Sequence, residues 1–195
     1  MPRIRITRLL LVPVLGLAVV SHHAHAEGSG WDRLVPLIGL VLLLAAMGGR
    51  IWASAYLTGR KDRVLVTEGP YSVVRNPLYL FSLVGFVGAG LALESLTLTG
   101  LLLVVFLVGH WPAMVAEERK LEGLFGNDYV QYRNSIPRLL PAVHRLTPGG
   151  TVTLDPVRFR AALRDCLVLP LVFVAAELLE WGQLEGILPV IIHIP

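Results

Sequence analysis

Gly69-Pro70-Tyr71-Ser72-Val73-Val74-Arg75-Asn76-Pro77-Leu78-Tyr79 runs directly into a long apolar stretch, Leu78 to Ala116, whose one charge is Glu94; Glu117-Glu118 then opens a charged segment ending near Pro141. In Gly69-Pro70-Tyr71 the proline fixes one torsion and the glycine relieves steric limits, so the backbone turns sharply. Asn76 precedes a proline and is biased away from helix, whereas Pro77 suits the first turn of a helix beginning at Leu78. The apolar stretch holds roughly 40 residues, which at about 1.5 Å each is far too long for one membrane crossing and enough for two short ones. Glu94-Ser95 is the expected turn. Polar and acidic residues are thereby held at the mouth of a hydrophobic hairpin.

On either side of this hairpin the pattern continues. Leu34 to Ala53 reads as a membrane span, apolar except for Arg50 near its end. Cys166 to Trp181 is a further apolar stretch that carries Glu177 and Glu180, and it reads as a shallow or partial crossing or an interfacial helix. Between them, Pro148-Gly149-Gly150 marks a turn and Leu154–Arg164 an amphipathic connector, with Pro156 suited to a first helical turn. At the N-terminus, Arg3, Arg5 and Arg8 precede an apolar run from Leu9 to Val20, and Ala24-His25-Ala26 has the form of a cleavage site. This describes either a secretory signal peptide or a first membrane helix of marginal length. The fold class expected is all-α, a polytopic transmembrane bundle of about four or five membrane helices.

Composition agrees. The 195 residues are 54% hydrophobic and only 16% charged, where a soluble domain carries about 25% charged residues; the mean hydropathy is +0.66. The net charge of +3 and the pI near 9.4 do not indicate nucleic acid, because the basic residues flank apolar runs and so set topology. Arg50, Arg60, Lys61, Arg63 and Arg75 fall on one side of the proposed membrane, and the eight basic residues from Arg119 to Arg164 return to it. Arg33, beside Asp32, falls opposite. The positive-inside rule puts both polar segments, about residues 54–77 and 117–165, in the cytoplasm. The single Cys166 excludes an internal disulfide and a cysteine-based metal cluster.

Several residues are suited to chemistry. A helix starting at Pro77 leaves backbone N–H groups unpaired with partial positive charge, a site for a carboxylate, although a simple helix cap at a membrane entry needs no ligand. One of Glu117 and Glu118 is expected to face back into the bundle, where a carboxylate is costly unless solvated or paired. It would hold hydroxyls or a cationic centre; the alternative is an exposed acidic turn paired with Arg119 and Lys120. Tyr129, Tyr132, Arg133 and Arg138 read as interface anchors of a helix. His110, within an apolar helix beside Trp111 and Pro112, is a functional candidate or a helix–helix hydrogen-bonding residue. His22, His23 and His25 have no acidic partner at ligand spacing, and no metal is expected. There is no P-loop, G-x-G-x-x-G, G-x-S-x-G or H-E-x-x-H.

Taken together, Arg63-Val64-Leu65-Val66-Thr67, Gly69-Pro70-Tyr71, Arg75-Asn76-Pro77-x-Tyr79, Glu117-Glu118, Leu121, Phe125-Gly126, Tyr129, Tyr132 and Pro137-Arg138 with Pro141 resemble the isoprenylcysteine carboxyl methyltransferase family and its phospholipid methyltransferase relatives. The resemblance covers about Tyr56 to Pro141. It implies an integral, multi-pass enzyme of the inner or plasma membrane that uses S-adenosylmethionine without a Rossmann domain. The cofactor would lie at the cytosolic ends of the helices, contacted by the strand-like Arg63, Val64, Leu65 and Val66, by Tyr71, by Asn76, Pro77, Leu78 and Tyr79, and by Glu117. Arg75 or His110 would orient a lipophilic or lipid-linked acceptor arriving from the membrane lipids. Residues 1–26 would then be signal peptide or first helix, 27–146 the methyltransferase domain with its motif core at 56–141, and 147–195 a C-terminal extension.

Two positions depart from the family. Many members have His where this chain has Asn76, which hydrogen-bonds but does not titrate near neutrality. The prenylcysteine enzymes carry an Arg four residues before the first Glu, where this chain has Ala113, so methyl transfer is expected without prenylcysteine as the acceptor. Phospholipid N-methylation needs no such cation and is the second enzymatic reading. A non-catalytic membrane scaffold of the same fold is the alternative from a different class.

Overall fold

The computed structural model describes residues 2–23, 30–150 and 154–194, with side chains given for 9–21, 33–150 and 154–192. Ala24-His25-Ala26 and the side chains of His22 and His23 lie outside the described residues. The elements are α1 (Pro2–Val20), β1 (Ser21–His23), α2 (Gly30–Leu57), α3 (Pro70–Val73), α4 (Pro77–Ala92), α5 (Leu96–Phe125), α6 (Asn127–Ser135), a 3-10 turn (Val143–Arg145), α7 (Pro156–Cys166), α8 (Val168–Leu184) and β2 (Ile192–Ile194). The helical expectation holds, with one addition: β1 and β2 pair in parallel, Ser21 opposite Ile192. Two helices are long and apolar enough to cross a membrane, over Arg33–Leu57 and Leu96–Phe125; the apolar helices Leu9–Val20 and Pro77–Ala92 are shorter.

The chain divides into two compact units. The first comprises Met1–Ala46, Leu83–Trp111 and Val168–Pro195. Its helices meet through small residues, which let backbones approach closely where apolar surroundings supply no hydrophobic drive between helices. A Cβ at Gly39 would lie 2.8 Å from the Gly88 carbonyl oxygen, and one at Gly88 would lie 2.9 Å from the Gly39 oxygen. Gly90 is pressed against Thr99 in the same way, with 2.5 Å to its Cα. The α4–α5 turn falls where expected: Glu94 takes a positive φ of 53°, and the Leu98 N–H donates to Ser95 Oγ at 3.2 Å, starting α5. Val14 and Ala18 of α1 are buried with Leu98, Leu102 and Val105 of α5. Gln183 of α8 donates to the Val19 and Ser21 carbonyls at 3.0 and 3.1 Å. Outward-facing positions such as Leu37, Val41, Val104, Leu107, Leu171 and Val174 are apolar and exposed.

The second unit comprises Met47–Ser82 and Pro112–Leu167. Its core gathers Ala53, Val66 and Tyr71, with Tyr56, Leu57 and Leu78 packed against them. The connector α7 begins as expected, with Pro156 in its first turn and Asp155 as N-cap, accepting from the Val157 and Arg158 N–H groups. The Arg63–Val66 segment forms no strand and runs as irregular chain.

Candidate functional site

The functional motifs meet within the second unit, and the Gly-Pro-Tyr turn shows how. Gly69 adopts φ +60° and ψ −131°, and a Cβ there would lie 2.5 Å from the Tyr56 ring; glycine is needed on both counts. Pro70 then opens the four-residue α3. A C-terminal strap holds this turn: Gly69 N–H donates to the Thr147 carbonyl at 3.0 Å, Ala142 N–H to Val73 at 3.0 Å and Arg75 N–H to Pro137 at 2.9 Å. Tyr132 of α6 donates its hydroxyl to the Tyr71 carbonyl at 2.7 Å.

These elements enclose a cleft of about 600 Å³ of empty space, part of it open to solvent. Val64, Leu65 and Val66 line it with Tyr71, Arg75 and the start of α4 from Asn76 to Tyr79; Glu117, Leu121, Leu57 and Tyr132 line it too. Ten of the twelve residues selected from sequence thus surround one cleft; Arg63 and His110 are not among its lining residues. His110 belongs to the first unit, where its ring stacks on Phe106 at 4.7 Å and its Nδ1 lies 3.3 Å from the Phe106 carbonyl oxygen.

The two adjacent glutamates do different things. Glu117 faces the cleft, accepts from the Tyr79 hydroxyl at 3.1 Å and lies 3.7 Å from Lys61 Nζ. Glu118 is buried and organises the region. Arg138 grips it bidentately, Nε to Oε1 at 3.2 Å and Nη2 to Oε2 at 2.7 Å. Asn76 Nδ2 donates to it at 2.8 Å, and Arg75 Nη2 lies 3.7 Å away. So Glu118 ties the start of α4 to α5 and to the strap. Sequence reasoning expected one glutamate of the pair to face inward but did not say which; the available signal was that Glu118 follows buried Met114 by four residues, on the inward stripe of α5.

The interface-anchor reading of Tyr129, Tyr132, Arg133 and Arg138 needs correction. Tyr129 and Tyr132 are 1% and 8% exposed, Arg133 donates to Glu122 at 2.8 Å and Arg138 serves Glu118. The pattern of aromatic and basic residues fits an interface as well as a polar core, and packing decides. Burial pushes the Tyr71 and Tyr132 phenols well above their ordinary range. The Tyr129 phenol is pushed up to about 12, first by burial and then by nearby Glu118. Among the described residues, Tyr129 Oη and Arg75 Nε are buried without a hydrogen-bond partner.

The cleft is thus lined by apolar side chains, by the carboxylates of Asp62 and Glu117 and by Arg75, in a chain with two helices long and apolar enough to cross a membrane. A family model for phospholipid methyltransferases matches residues 37–128, and the chain belongs to that family. It is 30% identical over 163 residues to the cobalt-zinc-cadmium resistance protein CzcN of Cupriavidus metallidurans, covering 84% of this chain and 74% of that one. It is 28% identical to the nickel-cobalt-cadmium resistance protein NccN of Alcaligenes xylosoxydans xylosoxydans, over 99% of this chain and 90% of the other. The protein-S-isoprenylcysteine O-methyltransferase of Schizosaccharomyces pombe is 32% identical over 83 residues, 43% of this chain and 35% of that enzyme. No solved structure matches the chain.

Proposed function

We propose that the protein is a multi-pass membrane methyltransferase that uses S-adenosylmethionine and modifies a lipophilic acceptor at the cytoplasmic face. The observation that carries this reading is Glu117, paired with the Tyr79 hydroxyl at 3.1 Å at the mouth of a cleft walled by Val64–Val66 and the start of α4. When bound, S-adenosylmethionine supplies an electrophilic methyl on a sulfonium. Glu117 would accept from ribose hydroxyls or face the sulfonium. The N-terminus of α4 would receive the methionine carboxylate. Val64, Leu65, Val66 and Leu78 would cover the adenine. The donor set therefore fits a zwitterionic nucleoside. For an in-line displacement the chain needs to align the acceptor nucleophile and exclude water, and positioning of this kind supplies much of the rate. Arg75 is the cleft residue best placed to orient the acceptor; a role for His110 would need a contact outside this cleft.

Phospholipid N-methylation is the second enzymatic reading, favoured by the family model. The names of two relatives that align over most of the chain favour a setting in heavy-metal resistance, in which a non-catalytic role is the competing reading. Transfer of a labelled methyl group from S-adenosylmethionine into a membrane-lipid extract, with purified wild type and Glu117→Ala, tests the proposal. Label entering the organic phase with wild type alone supports catalysis. Equal label with both sinks the Glu117 assignment, and none with either supports the scaffold.

A further inference from the structure

Arg50 lies inside an apolar helix, within the Arg33–Leu57 span, about 10 Å before the end of α2 at 1.5 Å per residue. It is half-buried, and among the described residues its one hydrogen-bond partner is neutral: Nη1 donates to Ser82 Oγ at 2.5 Å. The Ser82 hydroxyl in turn donates to the Leu78 carbonyl at 2.7 Å. Acidic groups of the same unit are engaged elsewhere, Glu117 with Lys61, Glu118 with Arg75 and Arg138, and Glu122 with Arg133. A charged guanidinium in an apolar span is costly unless it reaches water or meets an anion, and such residues mark ligand paths. Among the described residues most of its donors carry no partner.

Its position relative to the cleft gives it a use. Ser82 follows Tyr79 by three residues on α4 and so shares its face, and Tyr79 is the residue bonded to Glu117. The Arg50–Ser82 pair therefore stands one helical turn further into α4 than the Tyr79–Glu117 pair. On α5 the residue one turn before Glu117 is Ala113, which brings only a methyl to that level. We propose that Arg50, with Ser82, binds the anionic group, carboxylate or phosphate, of an amphiphile whose hydrocarbon chain lies along the apolar helices. That this amphiphile is the methyl acceptor rests on the reading above; the anion site does not.

The test is equilibrium binding of tritiated palmitate to the full chain in a neutral maltoside detergent. Unlabelled palmitate, hexadecanol and dipalmitoyl phosphatidic acid serve as competitors, and S-adenosylmethionine binding is measured in parallel. Wild type should bind palmitate saturably, with competition by either anionic lipid and not by the alcohol. Whichever anion competes better identifies a carboxylate or a phosphate headgroup as the source. Arg50→Gln should weaken binding about tenfold or more and Arg50→Lys by less, since charge persists but the planar fork is lost. Ser82→Ala should weaken it only a few-fold, as expected for one neutral hydrogen bond. All three variants should keep cofactor binding if the wild type has it. Loss of S-adenosylmethionine binding in wild type with anion binding intact would overturn the cofactor reading alone. Undiminished palmitate binding by Arg50→Gln, equal competition by hexadecanol, no anion binding by wild type, or joint loss of anion binding and thermal stability in Arg50→Gln would each overturn the anion site.

Discussion

Glu117 and Glu118 are neighbours in sequence with opposite duties, and the reason is helical geometry: adjacent residues point about 100° apart, so one faces the cleft and the other the core. Glu118→Ala would remove the carboxylate shared by Arg75, 9% exposed, Asn76 and Arg138. Removing one partner of a buried ion pair costs about 3 kcal/mol, so a clear fall in the thermal unfolding midpoint in detergent is expected; an unchanged midpoint would refute the clamp. Tyr129→Phe should behave differently. Among the described residues its buried hydroxyl has no partner, so its removal should change neutral-pH stability by less than about 1 kcal/mol. At alkaline pH the sign is set by linkage. The folded phenol stays protonated up to about 12, against an ordinary 10.0, so its contribution is complete below about pH 10 and is lost as pH rises towards 12. Tyr129→Phe should therefore unfold less steeply over that window, which a pH series of melts would measure. An Asn at position 76, legible as a departure from the family, has a physical account: its Nδ2 donates to Glu118, a contact that needs no titrating group.

Among the elements, the hairpin and α2 were legible because their apolar runs end near Gly, Pro or charge, as at Gly59, Pro77, Glu94 and Glu117. The hairpin turn at Glu94-Ser95 and the α7 start at Pro156 both follow from local chemistry. The burial of Tyr129 and Tyr132 was not legible, because it depends on Tyr71 and the strap, about 60 residues away in sequence for the first and adjacent to α6 for the second. The close approach of α2 and α4 at Gly39 and Gly88 was likewise hidden, since either glycine alone reads as an ordinary helix position. Gly88→Val should break that approach: its Cβ would stand 2.9 Å from the Gly39 oxygen. Overpacking of this kind costs about 1–3 kcal/mol, so a lower yield of monodisperse protein on size exclusion is expected, with Gly100→Ala, in open space, as the neutral control.

For the whole molecule, the open question of the N-terminal segment acquires a structural argument. The buried contacts of Val14 and Ala18, the Gln183 hydrogen bonds and the β1–β2 pair all use residues before position 24. Removal of residues 1–26 would expose this surface, so the mature protein is expected to retain them. Peptide mapping of protein from its native membrane should recover peptides from before position 24, and their absence would favour the signal-peptide reading. Sequence alone left this open because the charged start, apolar run and Ala24-His25-Ala26 satisfy both descriptions; the tertiary partners of α1 are an argument for a retained helix.

The central claim is that the cleft around Glu117 receives S-adenosylmethionine, and calorimetric titration of that nucleoside into the detergent-purified full chain tests it most directly. Saturable one-site binding by wild type is predicted, weakened about tenfold or more in Glu117→Ala by loss of a charged hydrogen-bond acceptor while the melting profile is kept. Undiminished binding in that variant, or no binding by a cooperatively melting wild type, would contradict the account.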